Sequence, residues 1–193
     1  MTQKKKLVHL FDATQCVGCS ACIVACCQTN YTDMMDEENK AWNWIPSNIR
    51  KVTLDQAKRP VQILVQCQQC DNAPCVHSCP FGANYYDEET GQVKTDPDRC
   101  VGCSFCIASC PYDVRWTHPK SGLPVKCMSH GCEELVREGK DPACVAACPV
   151  DARMFGDIND PESPISQRVS HSRTQKLMPE KGTKPNFFVV VQK

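Results

Sequence analysis

Residues 96–110 read Asp-Pro-Asp-Arg-Cys-Val-Gly-Cys-Ser-Phe-Cys-Ile-Ala-Ser-Cys, and residues 12–26 read Asp-Ala-Thr-Gln-Cys-Val-Gly-Cys-Ser-Ala-Cys-Ile-Val-Ala-Cys. Nine of the fifteen positions are identical. Each copy spaces its four cysteines as C-x2-C-x2-C-x3-C. The chain therefore contains a duplicated segment, and the spacing of its cysteines is the main guide to its structure.

This spacing is typical of bacterial ferredoxin segments, in which three close thiolates bind one [4Fe–4S] cluster and the fourth binds a second cluster. Of the 193 residues, 17 are cysteine. The odd number and the length of the chain argue against a disulfide scaffold. Zinc ribbons use C-x2-C pairs that are separated by longer loops. A third cysteine so close to the pair favours iron–sulfur clusters, and a zinc-organised binding module is the alternative.

Sixteen of the cysteines form four groups of four, and each group ends in C-x3-C. In chain order the groups are Cys16, Cys19, Cys22 and Cys26; Cys67, Cys70, Cys75 and Cys79; Cys100, Cys103, Cys106 and Cys110; and Cys127, Cys132, Cys144 and Cys148. Proline follows the last cysteine of three groups, at Pro80, Pro111 and Pro149. The C-x3-C spacing places the last cysteine about one helical turn after the third. Proline cannot continue a helix, so each of these groups should contain a short helical turn that ends there. Four groups of four predict four [4Fe–4S] clusters.

The flanking residues indicate which groups pair. The second group leads to the third through two predicted strands around a turn at Thr90-Gly91, which makes one ferredoxin-like module. The fourth group continues like the second, from Cys148-Pro149, so its trailing half should be the first group. We expect an α+β fold with two ferredoxin-like modules, one of them split and wrapped around the other. The predicted boundaries are 1–30 plus 120–160 for the split module, 61–119 for the central module, 31–60 for a strand-containing insertion and 161–193 for an extended C-terminal tail.

Exchange of the fourth cysteine between the two groups of a module then assigns the ligands. We number the four predicted ligand sets as sites. Site 1 is Cys16, Cys19, Cys22 and Cys148; site 2 is Cys127, Cys132, Cys144 and Cys26; site 3 is Cys67, Cys70, Cys75 and Cys110; site 4 is Cys100, Cys103, Cys106 and Cys79.

The four groups in this order resemble the four-cluster electron-transfer subunits of dimethyl-sulfoxide, polysulfide, thiosulfate and tetrathionate reductases. The segment from Cys148 to Pro161 and the segment from Leu177 to Phe188 are similar to that family too, and the resemblance covers nearly all of residues 7–190. It implies an electron-transfer subunit that is not an enzyme by itself. Its partners would be a molybdenum or tungsten bis-pterin catalytic subunit and a quinol-interacting integral membrane subunit. Relatives of the nitrate-reductase kind replace a cysteine of the third group by tryptophan, whereas Cys103 is present here.

Two positions depart from the family's pattern. The fourth group begins Cys127-Met-Ser-His-Gly-Cys132, with two residues more than is common between its first two cysteines. The longer loop puts His130 beside a cluster, where we interpret it as a solvated loop residue rather than a ligand. The seventeenth cysteine, Cys27, is interpreted as a small buried apolar side chain.

The residues between and after the groups carry less information. Trp42 and Trp44 are either a local hydrophobic clasp or an anchor on a partner surface. Short strands are predicted around Ile49 to Val52 and Val61 to Val65, and one further strand from Phe187 to Val191.

Charge and hydropathy restrict the partners and the location. The formal net charge is zero, which gives no electrostatic argument for nucleic acid as a partner. The longest apolar run near either end has five residues, too few to insert directly into a membrane. No signal peptide is visible. The resemblance implies membrane association through the partner, on the periplasmic or outer face after co-export with the catalytic subunit, with the cytoplasmic face as the alternative.

The chemistry that the cysteines offer is one-electron transfer. His77 and Tyr112 are candidates for tuning cluster potentials, although we prefer ordinary surface or packing roles for both. The leading hypothesis is an electron-transfer subunit of a membrane-bound respiratory molybdoenzyme. The alternative is a polyferredoxin subunit of a formate dehydrogenase, hydrogenase or multihaem reductase complex.

Overall fold

The computed structural model describes residues 4–34, 47–54 and 61–192. The strands are β1 (Leu7–Asp12), β2 (Arg50–Leu54), β3 (Val61–Val65), β4 (Asn84–Tyr86), β5 (Val93–Thr95), β6 (Trp116–Thr117), β7 (Pro124–Val125), β8 (Arg153–Asp157), β9 (Arg173–Gln175) and β10 (Phe187–Gln192). The helices are α1 (Ala21–Asn30), α2 (Pro74–His77), α3 (Phe105–Ala108), α4 (His130–Arg137), α5 (Ala143–Ala146) and α6 (Pro164–Ser170), with 3₁₀ turns at Thr32–Met34 and Pro179–Lys181. The predictions for Trp42 and Trp44 lie outside the described residues.

The largest sheet joins the two ends of the described chain. Its strand order is β8-β1-β10-β9. β1 is antiparallel to β8, with Phe11 opposite Arg153, and parallel to β10, with His9 opposite Phe187. β1 leads into the first cysteine group and β8 follows the fourth group. Their pairing therefore brings the first and fourth groups together, and β10 confirms the strand predicted near the C-terminus.

Residues 4–34, 47–54 and 61–192 contain three further strand pairs, all antiparallel: β2 with β3, β4 with β5 and β6 with β7. The first two pairs contain the strands that the sequence predicts. The β4–β5 hairpin joins the second cysteine group to the third along the chain. The β8–β1 pair has the corresponding position between the fourth group and the first, although its two strands are distant in sequence. This correspondence is what a split module requires, and the boundaries of the modules stay a prediction. The mixed α and β composition is confirmed.

The lengths of the helices follow the prolines. α2, α3 and α5 each span four residues, and each belongs to a group that ends in Cys-Pro. The first group is followed by Cys27 instead of proline, and its helix α1 spans ten residues. Proline has no N–H to donate and its ring clashes with the preceding turn. The predicted helical turns are confirmed, and α1 runs further than the cysteine spacing alone predicts.

The C-terminal region has more regular structure than the extended tail that the sequence predicts. Helix α6 begins after Ser163, whose side chain accepts a hydrogen bond of 3.2 Å from the N–H of Ser166. A proline occupies the next position. Serine before the first turn and proline within it both favour the start of a helix. α6 is tied to β1 by an ion pair between Arg168 and Asp12.

Half of the sixteen grouped cysteines lie in the buried interior. Within the described residues, two of three buried apolar clusters contain cysteines. These cysteines are Cys22, Cys26, Cys67, Cys70, Cys127, Cys132 and Cys144. Thiols thus fill positions that aliphatic side chains fill in most cores. No helix in the described part of the chain is long and apolar enough to cross a membrane.

Candidate metal centres

All seventeen cysteines lie within the described residues and all are free thiols. The two copies of the repeat also share their local backbone. Gly18 and Gly102 have φ values of 71° and 72°, and the serines before the helices, Ser20 and Ser104, have φ values of 65° and 61°. Glycine adopts such left-handed values at little cost. The identical residues of the repeat therefore correspond to one shared loop conformation.

Site 1 is a pocket. It is lined by Cys16, Cys19, Cys22 and Cys148. This is the set predicted if the first and fourth groups exchange their last cysteines. Burial raises the pKa of the Cys22 thiol, and the neighbouring thiolates of Cys16 and Cys148 raise it further. The N–H of Ala152 donates to Cys148 Sγ over 3.3 Å. The four thiols thus surround a small cavity instead of converging on the position of a single metal ion.

Site 2 contains the other exchanged cysteine. Burial raises the pKa of Cys26 to about 11, and the thiolates of Cys132 and Cys144 act in the same direction. Asn30, at the end of α1, places its Nδ2 3.3 Å from Cys132 Sγ and 3.8 Å from Cys26 Sγ. Burial also raises the pKa of Cys127, and the thiolates of Cys144, Cys26 and Cys132 raise it further. The structure brings all four predicted thiols together.

The geometry of site 2 depends on Gly131, in the first turn of α4. A Cβ atom at Gly131 would lie 2.3 Å from the carbonyl oxygen of Thr29 in α1. The glycine therefore permits close contact between α4 and the last turn of α1. Asn30 Oδ1 accepts a hydrogen bond of 3.1 Å from the N–H of Cys132 in the same contact.

The thiols proposed for site 3 lie around Cys70. Burial raises the pKa of Cys70 to about 12, and the thiolates of Cys67, Cys75 and Cys110 raise it further. Tyr112 is buried beside these thiols, and its hydroxyl contacts Thr183 Oγ1 at 2.5 Å. The thiols of Cys67, Cys75 and Cys110 are thus neighbours of Cys70, and Tyr112 packs beside them.

Site 4, like site 1, includes one exposed, two half-buried and one buried cysteine. Cys103 is exposed, Cys79 and Cys100 are half-buried, and Cys106 is buried. Burial acts to raise the pKa of Cys79, but backbone N–H donors from residues 81–84 outweigh it and lower that pKa. The helical turns of the second and third groups meet where Ser78 Oγ lies 2.9 Å from Ser109 Oγ. The assignment of Cys79 to site 4 rests on this contact and on the repeat.

Three buried cations lie among the thiols, and the sequence analysis did not identify them. Arg153, Arg115 and Lys126 are 3%, 3% and 4% exposed. Burial acts to lower the pKa of Arg153, but the thiolates of Cys144 and Cys22 outweigh it and raise that pKa. A sequence signal does exist for the arginines. Each stands five residues after the last cysteine of a group, Arg115 after Cys110 and Arg153 after Cys148.

The cations and thiols also give the order of the sites. The thiolate of Cys144, in site 2, acts on the pKa of Cys22, in site 1, although burial is the larger cause of its rise. Burial raises the pKa of Cys127, and the thiolate of Cys67, in site 3, adds to that rise. Burial acts to lower the pKa of Arg115, but thiolates of site 3 (Cys75) and site 4 (Cys106) outweigh it and raise that pKa. The sites therefore follow one another as 1, 2, 3 and 4.

The polar atoms around the sites fit an anionic metal cluster. Several buried atoms have no hydrogen-bond partner among the described residues: His9 Nδ1, Gln68 Oε1, Gln69 Nε2, Gln92 Nε2, Arg115 Nη2, Arg153 Nε and Arg153 Nη1. Apart from the acceptor Gln68 Oε1, these atoms are nitrogens, and buried cations and donors without partners are costly. A cluster held by thiolates would supply negative charge to the two arginines. Among the same residues, no three His, Cys, Asp or Glu side chains lie close enough to hold a single metal ion. The residues fit [4Fe–4S] clusters, which transfer one electron at a time.

The remaining candidates have structural roles. His130 is exposed, with its Nδ1 3.6 Å from a carboxylate oxygen of Glu134, and it begins helix α4 rather than lying in a loop. Cys27 is buried, and burial raises its pKa. His77 is exposed and contacts Asn72 at 3.0 Å. The exposure of His130 and His77 and the burial of Cys27 agree with the interpretations made from the sequence, but the loop predicted at His130 is wrong, because the residue belongs to α4.

Free thiols in groups of four, with buried cations beside them, define a ferredoxin-type iron–sulfur protein. Residues 61–158 match the family described as a 4Fe–4S dicluster domain. Over 193 residues the chain is 37% identical to the B subunit of polysulfide reductase of Wolinella succinogenes, covering 100% of this chain and 97% of that protein. It is 37% identical to protein NrfC of Escherichia coli over 95% of this chain and 79% of the relative. It is 38% identical to the thiosulfate reductase electron transfer subunit PhsB of Salmonella typhi, over 80% of this chain and 78% of the relative.

The chain belongs to the family of 4Fe–4S electron-transfer subunits of the polysulfide, dimethyl sulfoxide and thiosulfate reductase type. The resemblance found in the sequence is confirmed. Relatives in these comparisons are named as subunits of a polysulfide reductase, a thiosulfate reductase and a sulfite dehydrogenase, so the chain is an electron-transfer subunit and not an enzyme by itself.

Proposed function

We propose that the sixteen grouped cysteines hold four [4Fe–4S] clusters, one in each of sites 1 to 4, and that the clusters form a single electron relay. The observation that carries this proposal is the succession of the sites. Thiols of sites 1 and 2 are neighbours, thiols of sites 2 and 3 are neighbours, and Arg115 lies between sites 3 and 4. An electron that enters at one end would pass each cluster in turn.

The two ends of this relay are where partners would dock. Site 1 includes the exposed Cys19, and the neighbouring Val17 is 66% exposed. Site 4 includes the exposed Cys103, flanked by the exposed side chains of Val101 and Phe105. Exposed apolar side chains beside a redox centre suit contact with another protein. Sites 2 and 3 lie in the interior, which suits internal steps of the relay.

The relay would connect a molybdenum or tungsten bis-pterin catalytic subunit to a quinol-interacting integral membrane subunit. This part of the proposal rests on the family, whose members include proteins named for polysulfide and thiosulfate reductases. It also rests on the two separate docking ends. We infer that the chain is held at the membrane through its partner, on the periplasmic or outer face.

The division into a split module and a central module is part of the same proposal. The pairing of β1 with β8 supports it, because this pair stands in the position that the β4–β5 hairpin holds in the central module. Grouping of Cys148 with the first cysteine group supports it as well. Helix α6 adds to the tail, packed by its Arg168 against β1.

The deciding experiment is anaerobic purification of the tagged chain from its native membranes, followed by measurement of iron, molybdenum and tungsten. We expect about sixteen irons per chain and molybdenum or tungsten in a co-purifying large protein. Full iron without either metal, in an intact complex, would contradict the pterin partner and favour a hydrogenase or multihaem reductase. Zinc in place of iron would contradict the clusters themselves.

A further inference from the structure

Arg153 lies between sites 1 and 2. It begins β8, and it lines the same pocket as the four thiols of site 1. On its other side, Arg153 Nη2 donates to Gln66 Oε1. Gln66 Nε2 in turn donates to Cys127 Sγ, in site 2, over 3.4 Å. One buried guanidinium is therefore connected to both sites of this pair.

Arg115 has the corresponding place between sites 3 and 4. Arg115 Nη1 donates to Asn84 Oδ1 over 3.1 Å, and Asn84 Nδ2 donates to the carbonyl oxygen of Cys75, in site 3, over 3.0 Å. Asn84 is also the first residue of β4, and its backbone N–H is one of the donors to the thiol of Cys79, which belongs to site 4. Each pair of sites thus contains one buried arginine that is linked through an amide side chain to a cysteine.

Neither arginine has a carboxylate partner in the described part of the chain; Nη2 of Arg115 and both Nε and Nη1 of Arg153 have no hydrogen-bond partner there. An unpaired buried cation is strongly unfavourable in a folded protein. Arginine cannot lose its proton to avoid this cost. The cost is removed if the anionic group that neutralises each arginine is the pair of clusters on either side of it.

We propose that Arg153 and Arg115 are fixed countercharges, each shared by the two clusters that flank it, and that they raise the reduction potentials of both. The inference rests on the proposed function, since it requires four clusters. Reduction adds negative charge to a cluster, and a nearby fixed positive charge favours the reduced form. A shared countercharge also offsets the repulsion between two neighbouring reduced clusters. The arginines do not ligate the clusters; they affect the reduction potentials through their charge and are positioning residues in this sense.

The test is a redox titration of the purified chain, followed by electron paramagnetic resonance, in Arg153→Gln and Arg115→Gln. We expect Arg153→Gln to lower the equilibrium constant for reduction of two of the four clusters by about tenfold. This corresponds to a reduction potential about 59 mV lower for one electron. Arg115→Gln should lower the other two. Arg153→Lys and Arg115→Lys, which keep the charge, should remain near the original potentials. The control Arg137→Gln, on the exposed side of α4, should change none.

The outcomes separate this inference from the proposed function. Wild-type protein with fewer than four clusters would contradict the proposed function. Four clusters whose potentials do not respond to the glutamine variants, or respond equally to the lysine variants, would overturn only the countercharge. A shift of a single cluster, or of the same two clusters in both variants, would overturn the sharing. Iron lost from a glutamine variant but kept in its lysine variant supports the charge, whereas loss from both would assign the arginine a structural role.

Discussion

Residues 12–26 and 96–110 have the same loop conformation and the same cysteine spacing, but they continue differently. After Cys110, Pro111 follows, and helix α3 has only four residues. After Cys26, Cys27 follows, and helix α1 continues to Asn30. The extra turn of α1 carries the asparagine that contacts two thiols of site 2. Duplicated ligand motifs can therefore share their spacing and differ in the protein that surrounds them, because one residue after the motif sets the length of the helix.

The sharpest way to break this comparison is to remove the last cysteine of the first copy. Cys26→Ser should abolish the cluster in site 2 and lower the iron content from about sixteen to about twelve atoms per chain. The reason is that the Cys26 thiol lies with Cys132 and Cys144 rather than with the other cysteines of its own group. Iron analysis and spin quantitation would measure the loss. The neighbouring variant Cys27→Ala should keep all of its iron, and loss confined to site 1 would contradict the exchange of cysteines.

A proline transplant would make the first copy continue like the third. Cys27→Pro should interrupt α1 and cost about 3 kcal/mol of stability. It would also displace Asn30 from Cys132, so site 2 should lose its cluster first during exposure to air. Denaturant unfolding and the rate of iron release measure these effects. Pro111→Ala is the matched control, for which we expect less than about 1 kcal/mol because α3 makes no such contact. Equal effects of the two variants would contradict the role of the longer helix.

The contact of α1 with α4 gives a third test. Gly131→Ala places a Cβ against the carbonyl oxygen of Thr29, so the helices must separate, and we expect a loss of about 1–3 kcal/mol. Thermal unfolding of the iron-loaded protein measures this loss. Glu134→Ala, on the exposed side of the same helix, should leave stability almost unchanged. An unchanged melting temperature in Gly131→Ala would mean that the close contact is not maintained in solution.

The smallest expected effect concerns the aspartates that begin each copy. Asp12 Oδ1 accepts from the N–H of Thr14 over 2.8 Å, and Asp96 Oδ1 accepts from the N–H of Asp98 over 2.9 Å. The Asp12 side chain is 1% exposed and that of Asp96 is 32% exposed. Asp12→Asn should therefore cost more than Asp96→Asn, on the order of 1 kcal/mol.

The contribution of Asp12 should depend on pH. Burial acts to raise the pKa of this carboxyl, but hydrogen bonds from Thr14 and Arg168 outweigh it and lower the pKa in the folded protein. A lowered pKa gives stability that is fully present above the unfolded-state pKa of about 3.9 and is lost as the pH falls through the folded-state value. Unfolding measured between neutral and acidic pH should show this loss in the wild type and less of it in Asp12→Asn. The same pH dependence in both proteins would contradict it.

Local spacing predicted much of the site and little of its surroundings. The four groups, the helical turns before Pro80, Pro111 and Pro149, and the strands flanking Thr90-Gly91 can all be inferred from neighbouring residues. The grouping of Cys148 with the first cysteines could be inferred only because the segment is duplicated. By contrast, the contact of Asn30 with Cys132 joins positions 102 residues apart. No local pattern encodes such a contact, so it depends on the packing of α1 on α4.

The buried arginines and helix α6 were missed for different reasons. Arginine is usually exposed, so Arg115 and Arg153 look like surface residues until the positions of the thiols are known. Their shared spacing from Cys110 and Cys148 acquires meaning only with that information. Helix α6, in contrast, has a local signal, since Ser163 followed by proline is a favourable helix start. The proline-rich composition of the region obscured it.

The position of β1 between β8 and β10 affects how the protein is made. The ribosome releases the first cysteine group early, yet the strand before that group acquires both neighbours only after residues 187–192 have been synthesised. At roughly 5–20 residues per second, this delay is roughly 10–35 s. The thiols of the first group lack the cysteines that complete sites 1 and 2 until residues 127–148 have been synthesised. Iron delivery to sites 1 and 2 must therefore wait for the fourth cysteine group, whereas sites 3 and 4 have all their proposed ligands once residue 110 has been synthesised.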